Sequence, residues 1–255
     1  MDERLVEPIL LEGFISVEAA LDAGSRPLRT ILLRNGLAGP RVARLLSLAR
    51  QRRVPVQLVD AEEIERLTTG KSHGGILAIA GHRRYLAPEA VLSSAGGQAR
   101  LLVMLDGLED PFNLGQAIRA LYAGGVDGLL LRERDWSRVD GVIARASAGA
   151  SERFATALIE SSRQALDLGR RAGLRVVCAV SAATPDAISH YRADLTGELL
   201  LIIGGELRGI SREVVREADA RVVISYGRPF RQSLGLVAAT SALVFEAARQ
   251  RRTLP

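Results

Sequence analysis

Three stretches of the chain set polar residues of catalytic type directly after apolar runs. The first is Leu105-Asp-Gly-Leu-Glu-Asp-Pro-Phe-Asn-Leu-Gly-Gln-Ala-Ile-Arg119. An apolar strand ends, and a polar turn places Asn113 just ahead of a predicted helix. Asn113 is open to two readings: an N-cap, a position where asparagine is favoured, or an amide facing a substrate. Arg119 follows six residues later, ~1.7 turns on and about 120° around the helix. Both side chains can address neighbouring parts of one site at the helix N-terminus, an end that also favours phosphate. The second stretch is Ile202-Ile-Gly-Gly-Glu-Leu-Arg-Gly-Ile-Ser211. Its glycines 204, 205 and 209 permit close backbone approach or a positive φ. Glu206 and Arg208 lie in that loop, and Ser211 is placed to cap the next helix. The third runs from Ile224 through Ser233 and Leu234 to Thr240, a Gly/Pro-containing loop leading into a helix rich in small residues.

Other chemistries lack their residues. His73, His82 and His190 have no metal-ligand spacing. Cys178 stands in an apolar strand pattern and reads as an inert core residue; one cysteine excludes an internal disulfide or a cysteine-based cluster. No metal site is expected. Nor does a GxSxG elbow, a Walker A loop or a GxGxxG fingerprint follow any strand, which counts against nucleotide hydrolysis and nicotinamide redox chemistry.

The elements that must position these residues alternate in type. Residues 13–24 read as a helix closed by Gly24, 28–33 as a strand, 40–53 as an amphipathic helix, 56–59 as a strand, 61–67 as a helix and 76–79 as a strand. Residues 1–85 thus form a small α/β unit, and 86–98 a linker with a short helical patch. From 99 to 255 the predicted strands are 101–105, 128–131, 156–159, 175–179, 198–203 and 220–224. The helices between and after them are 114–123, 141–148, 161–172, 184–191, 211–218 and 236–251. Continuous apolar strands alternating with helices argue an α/β fold with a parallel sheet covered on both faces.

The 255 residues include 47% hydrophobic and 25% charged side chains, enough for a sizeable core. Of 34 basic residues only Lys71 is lysine, and the net charge is +5. Arginine's planar fork suits phosphate, so a nucleic-acid partner is compatible with this balance, as is a simple compositional bias. No apolar run reaches the ~20 residues of a membrane helix, and the charged N-terminus has no secretory pattern. A cytoplasmic location with no membrane partner is the expectation.

The order and spacing of the three stretches resemble the SpoU/TrmH family of RNA methyltransferases, in the SPOUT superfamily. Its first motif is matched by Asp106-Gly-Leu-Glu-Asp-Pro-Phe-Asn-Leu-Gly115 with Arg119, its second by Gly204, Glu206, Gly209 and Ser211, and its third partly by Ile224 and Ser233-Leu234. Ser147-Ala-Gly-Ala150 is similar to a further family segment. Gly13–Ala23 and His73-Gly-Gly-Ile76 are similar to its N-terminal substrate-binding domain. The resemblance implies a trefoil-knotted methyltransferase domain, a homodimer, S-adenosylmethionine as methyl donor, and transfer to a ribose 2′-hydroxyl of rRNA or tRNA. It places Gly204, Ile224 and Leu234 around the cofactor, and Asn113, Arg119, Glu206 and Ser233 at the reaction site. Several positions depart from the pattern. Gly235 stands where the family has asparagine, Ser225-Tyr226 where it has Pro-Met, Leu207 for a glycine and Ala120 for Thr or Ser, and the third loop is about one residue longer. The lost asparagine keeps two alternatives open: a paralogue that binds RNA or cofactor with weak or no transfer, and a base methyltransferase on the same scaffold.

Overall fold

The computed structural model describes residues 8–68, 73–93, 99–205 and 209–252. They fall into two compact units, Met1–Arg84 with Asp135–Arg153, and Tyr85–Arg134 with Phe154–Pro255.

In the first unit the strands are β1 (Ile9–Glu12), β2 (Leu28–Arg34), β3 (Val56–Val59) and β4 (Ile76–Ala80). They form a sheet of order β1-β4-β2-β3, in which β4 runs antiparallel to both neighbours and β2 pairs with β3 in parallel. Helices α1 (Gly13–Ala23) and α2 (Pro40–Gln51) bury Val17, Leu21, Val42 and Leu45 against Ile31, Leu33 and Ala78. Helix α3 (Ala61–Leu67) sets Ile64 among Leu32, Val59 and Leu77. Gly24 ends α1 at φ +61°, its N–H donating to Ala20 O, the left-handed stop that glycine adopts without a Cβ penalty.

Residues 135–153 add a 3₁₀ turn (Ser137–Val139) to this unit. Ion pairs that are almost wholly buried tie the segment in. The Arg26 guanidinium meets Glu152 at 2.7 Å and Asp140 at 2.8 Å, and Ser25 Oγ donates to Glu152. Arg83 lies 3.7 Å from Asp140 and donates to Ser151 O at 3.0 Å. Burial alone depresses the Arg26 charge; Asp140 and Glu152 more than reverse this and hold the guanidinium above its ordinary value.

The second unit opens with α4 (Pro88–Ser93), β5 (Leu101–Asp106), α5 (Pro111–Ala123) and β6 (Gly128–Arg132). Between β6 and β7 (Thr156–Ile159) lie α6 (Asp140–Ala146) and α7 (Ala150–Arg153), the two helices that belong to the first unit. After β7 come α8 (Ser162–Arg171), β8 (Arg175–Ala179), β9 (Ile188–Ser189), β10 (Leu199–Gly204), α9 (Arg212–Glu217), β11 (Ala220–Val223) and α10 (Leu236–Arg251). The seven strands are all parallel, in the order β7-β6-β5-β10-β8-β11-β9. One face packs Leu102, Met104, Leu200 and Ile202 against Leu166, Leu168 and Val214 of α8 and α9. On α5 and α10 the helices meet so closely that a Cβ on Gly124 would lie 2.2 Å from Val244 Cγ1.

Two sequence expectations need correction. The helix predicted from Thr184 to Tyr191 is absent: Asp186 takes φ +59°, which ends any helix, and Ile188–Ser189 instead pairs with β11 at the sheet edge. The helix predicted to begin at Leu114 starts at Pro111, where proline's fixed φ and missing N–H suit the first turn.

Candidate active site

The strand order reverses at β5. The chain runs outward through β6 and β7, then returns to place β10 on the other side of β5. In open α/β sheets a crevice forms at the carboxyl ends of the strands at such a reversal. Here the last register pair is Gly204 with Asp106. Just beyond it two loops touch main chain to main chain. Gly205 N–H donates to Asp106 O at 2.5 Å, and a Cβ on Gly205 would lie 2.4 Å from Gly107 O. Gly107 itself sits at φ +80°. At Gly204 a Cβ would fall 2.7 Å from Ile210 N and 2.9 Å from Gly209 Cα. These glycines are needed for close approach, as their spacing suggested. Asp106 is buried at the strand end, with Arg132 of β6 3.3 Å away.

The first turn of α5 stands over this junction. Its N-cap is Asp110, whose carboxylate accepts the Asn113 N–H at 2.7 Å. Asn113 is therefore the third residue of the helix and not its cap, and its exposed side chain is left free of capping. It lines a cleft of about 150 Å³ with Gly107, Leu108, Glu109, Asp110, Gly205 and Leu236. The turn of the first motif, the glycine pair of the second and the start of the helix that follows the third thus converge on one space. Leu108 and Leu236 make its apolar part, and Glu109 and Asp110 bring carboxylates to its edge. That lining suits a ligand with an apolar body and a positive centre. Asp110 already occupies the helix terminus, so an anion is better served by Arg119. Arg119 is exposed on the same helix, ~9 Å further along its axis. Among the described residues it makes no ion pair, and no hydrogen bond joins it to Asn113.

The third loop closes on itself. Ile224 lies half-buried just past β11, and Leu234 donates its N–H to the Tyr226 hydroxyl at 3.2 Å. Ser233 is exposed. Gly235 caps α10 with backbone alone. Ser225 donates its N–H to His190 Nδ1 at 3.3 Å, and its hydroxyl lies 2.7 Å from that of Ser189. Glu206, with Leu207 and Arg208, lies outside the described residues. Ser211 caps α9 as expected, accepting from Val214 N–H at 3.3 Å. Cys178 is buried in β8, and burial pushes its thiol up to about 12, which leaves it unreactive.

Sequence reasoning did not single out Gly107, Leu236 or Tyr226 as site residues. Gly107 carried a signal, a glycine directly after an apolar strand. Leu236 carried none, because its place depends on α10 packing beside β10.

A family model described as "SpoU rRNA Methylase family" matches residues 100–245, and one described as "RNA 2'-O ribose methyltransferase substrate binding" matches residues 10–86. A Xanthomonas axonopodis pv. citri protein named 23S rRNA (guanosine-2'-O-)-methyltransferase RlmB is 28% identical over 242 residues, 94% of this chain and 95% of that protein. An uncharacterized tRNA/rRNA methyltransferase of Mycolicibacterium vanbaalenii is 32% identical over 217 residues, 84% of this chain and 67% of its own length. Among solved structures, the AdoMet-bound rRNA methyltransferase from Sinorhizobium meliloti superposes with a TM-score of 0.77 at 26% identity, covering 95% of this chain and 87% of that one. With a family match over more than half its length, carrying the residues that build the cleft, the chain belongs to the SpoU rRNA methylase family.

Proposed function

We propose that this chain is an S-adenosylmethionine-dependent RNA methyltransferase acting on a ribose 2′-hydroxyl of rRNA or tRNA. One observation carries the reading: Asn113, the Gly107–Gly205 junction and Leu236 meet in a single cleft at the sheet's reversal point, on a chain of this family. The Gly204 loop, Ile224 and Leu234 are the residues to hold the cofactor, through main chain and apolar contact. When bound, the sulfonium supplies an already activated methyl group. The protein's own task is then positioning and charge placement. Asn113 fixes the hydroxyl with an amide that both donates and accepts. Arg119 clamps the adjoining phosphate; it is no base, because guanidinium stays protonated. Glu206 and Ser233 complete the reaction site, and the proton leaves to a substrate phosphate or water. The reading brings with it a homodimer, a cytoplasmic location and a trefoil knot. Among the described residues no helix is long and apolar enough to cross a membrane.

Gly235 favours a second reading, a paralogue that binds without transferring. The deciding experiment incubates the protein with methyl-labelled S-adenosylmethionine and unmodified bulk rRNA and tRNA, then digests with alkali. Label in alkali-resistant dinucleotides supports ribose methylation, and label in mononucleotides moves the reaction to a base. Cofactor binding with no transfer supports the paralogue.

A further inference from the structure

The loop between β11 and α10 turns aromatic rings outward. Tyr226 is 39% exposed and Phe230 58%, in a chain with only ten aromatic residues of the Phe, Trp and Tyr types. Their ring centroids lie 5.9 Å apart, with planes inclined by 59°. Core formation gives no reason for two exposed rings within five residues. The polar end of Tyr226 is engaged, since its hydroxyl accepts the Leu234 N–H; its position is set while much of the ring stays open. The root of the loop is pinned as well, by Ser225 against His190 and Ser189.

Along the chain the charge flanking these rings has one sign. Between Asp219 and Glu246 the chain has no acidic residue, and it carries Arg221, Arg228 and Arg231. Arg221 donates to the Val215 and Arg216 carbonyls. Arg228 and Arg231 flank the rings, both exposed and, among the described residues, without an ion pair. Other arginines of this unit are held by carboxylates, as half-buried Arg163 is by Glu213 and Glu217, whereas Arg228 and Arg231 share with Arg119 an exposed side chain with no ion pair among the described residues. Aromatic faces interleaved with free guanidinium groups are what single-stranded nucleic acid needs: π-faces for bases and cations for the phosphates between them. A second protein surface is a poorer fit, because two unpaired arginines would have to be neutralised on association.

We propose that Tyr226 and Phe230 form a stacking platform for an unpaired RNA base beside the methyl-transfer site, with Arg228 and Arg231 holding the phosphates on either side of that base. The proposal rests on the RNA-methyltransferase reading and narrows it: the substrate is presented as a loop, bulge or end, not as a continuous duplex. Tyr226 is this chain's own, since the loop departs from the family pattern at Ser225-Tyr226 and in length.

The test uses the full chain and a short single-stranded RNA carrying a fluorescent purine analogue, alone and annealed to its complement. The wild type is expected to quench the analogue and to prefer the single strand. Phe230→Leu, which keeps apolar bulk and removes the π-face, is expected to lose the quenching and weaken binding roughly tenfold. Its salt dependence is expected to stay unchanged. Arg228→Gln with Arg231→Gln is expected to lower the slope of log K against log salt by about 1.4. S-adenosylmethionine affinity of each variant reports that the fold is intact. Wild-type RNA affinity and quenching in Phe230→Leu would overturn the platform. So would a variant that loses only self-association, which would make a second copy of the chain the occupant. Phe230-dependent binding in a protein that methylates no RNA would sink the enzymatic reading and leave the platform standing. Methyl transfer with Phe230-independent binding would sink the platform alone.

Discussion

Gly205→Ala isolates the main-chain junction beneath the cleft. The added Cβ would lie 2.4 Å from Gly107 O, 2.8 Å from Gly107 C and 3.1 Å from Asp106 O, all of them backbone atoms. A carbon–oxygen contact relaxes at about 3.3–3.6 Å, so the two loops must part by roughly 1 Å. Overpacking of this kind costs about 1–3 kcal/mol. Parting the loops also strains the Gly205 N–H···O bond to Asp106, a contribution of about 0.5–1.5 kcal/mol. Together they come to about 1.5–4.5 kcal/mol. If the folded state keeps the strain, the thermal midpoint falls by roughly 3–18 °C for a chain of this size. If the loops open to relieve it, the same energy appears as a cofactor affinity about 10- to 2,000-fold weaker. Scanning calorimetry and titration calorimetry with S-adenosylmethionine measure the two terms on one preparation. Gly227→Ala is the control: it has open space within 4 Å and no positive φ, so its change should stay within about 0.5 kcal/mol. A Gly205→Ala protein with wild-type midpoint and wild-type affinity would refute the reasoning.

Other perturbations probe separate links. Arg119→Ala should lower kcat by at least ~10²-fold while leaving cofactor affinity intact; single-turnover assays at saturating cofactor decide this, and normal turnover would remove the arginine from the site. Arg26→Met leaves Glu152 buried without its cation and Asp140 with Arg83 alone, 3.7 Å away, and should destabilise the first unit by about 3–5 kcal/mol in urea unfolding; an unchanged midpoint would contradict it. The Arg163 guanidinium hydrogen-bonded to Glu217 holds that carboxylate down to about 2. Its contribution to stability is present above its unfolded pKa of about 4.3 and is lost as pH falls through the folded value. The midpoint advantage of the wild type over Glu217→Gln should therefore shrink between pH ~4.5 and ~2, and a constant gap would argue against the pair. Gly235→Asn gives α10 a side-chain cap, a gain of a few tenths of a kcal/mol; the kcat of this variant reports whether the amide the family carries there also serves the reaction.

Much of this architecture could be read from local pattern. The strands from Leu101 onward are runs of Leu, Val and Ile, and a buried parallel sheet demands such runs. β1 escaped because four residues after a charged start show no periodicity; it exists through its pairing with β4. α5 was placed three residues late because its apolar repeat begins at Leu114, whereas its start is set by Asp110 and Pro111. That shift moved Asn113 from cap to cleft. The glycines of the junction were visible as glycines, but their partners were not: β5 and β10 lie far apart in the chain, and only their pairing brings Gly107 against Gly205. The bracing of the third loop by Tyr226 was equally hidden, because a hydroxyl bonding an amide eight residues away leaves no trace in composition.

The buried pairing of Arg26 with Asp140 and Glu152 bears on how the protein can be divided. A fragment cut after residue 85 looks self-sufficient in sequence, with its own sheet and helices. It would nevertheless carry Arg26 and Arg83 in its interior with both carboxylates left behind on the discarded piece. The excised half would have to hydrate those guanidinium groups and open its core to do so. The first unit is thus an interrupted module: its autonomy depends on nineteen residues that the ribosome delivers only after another fifty have been made.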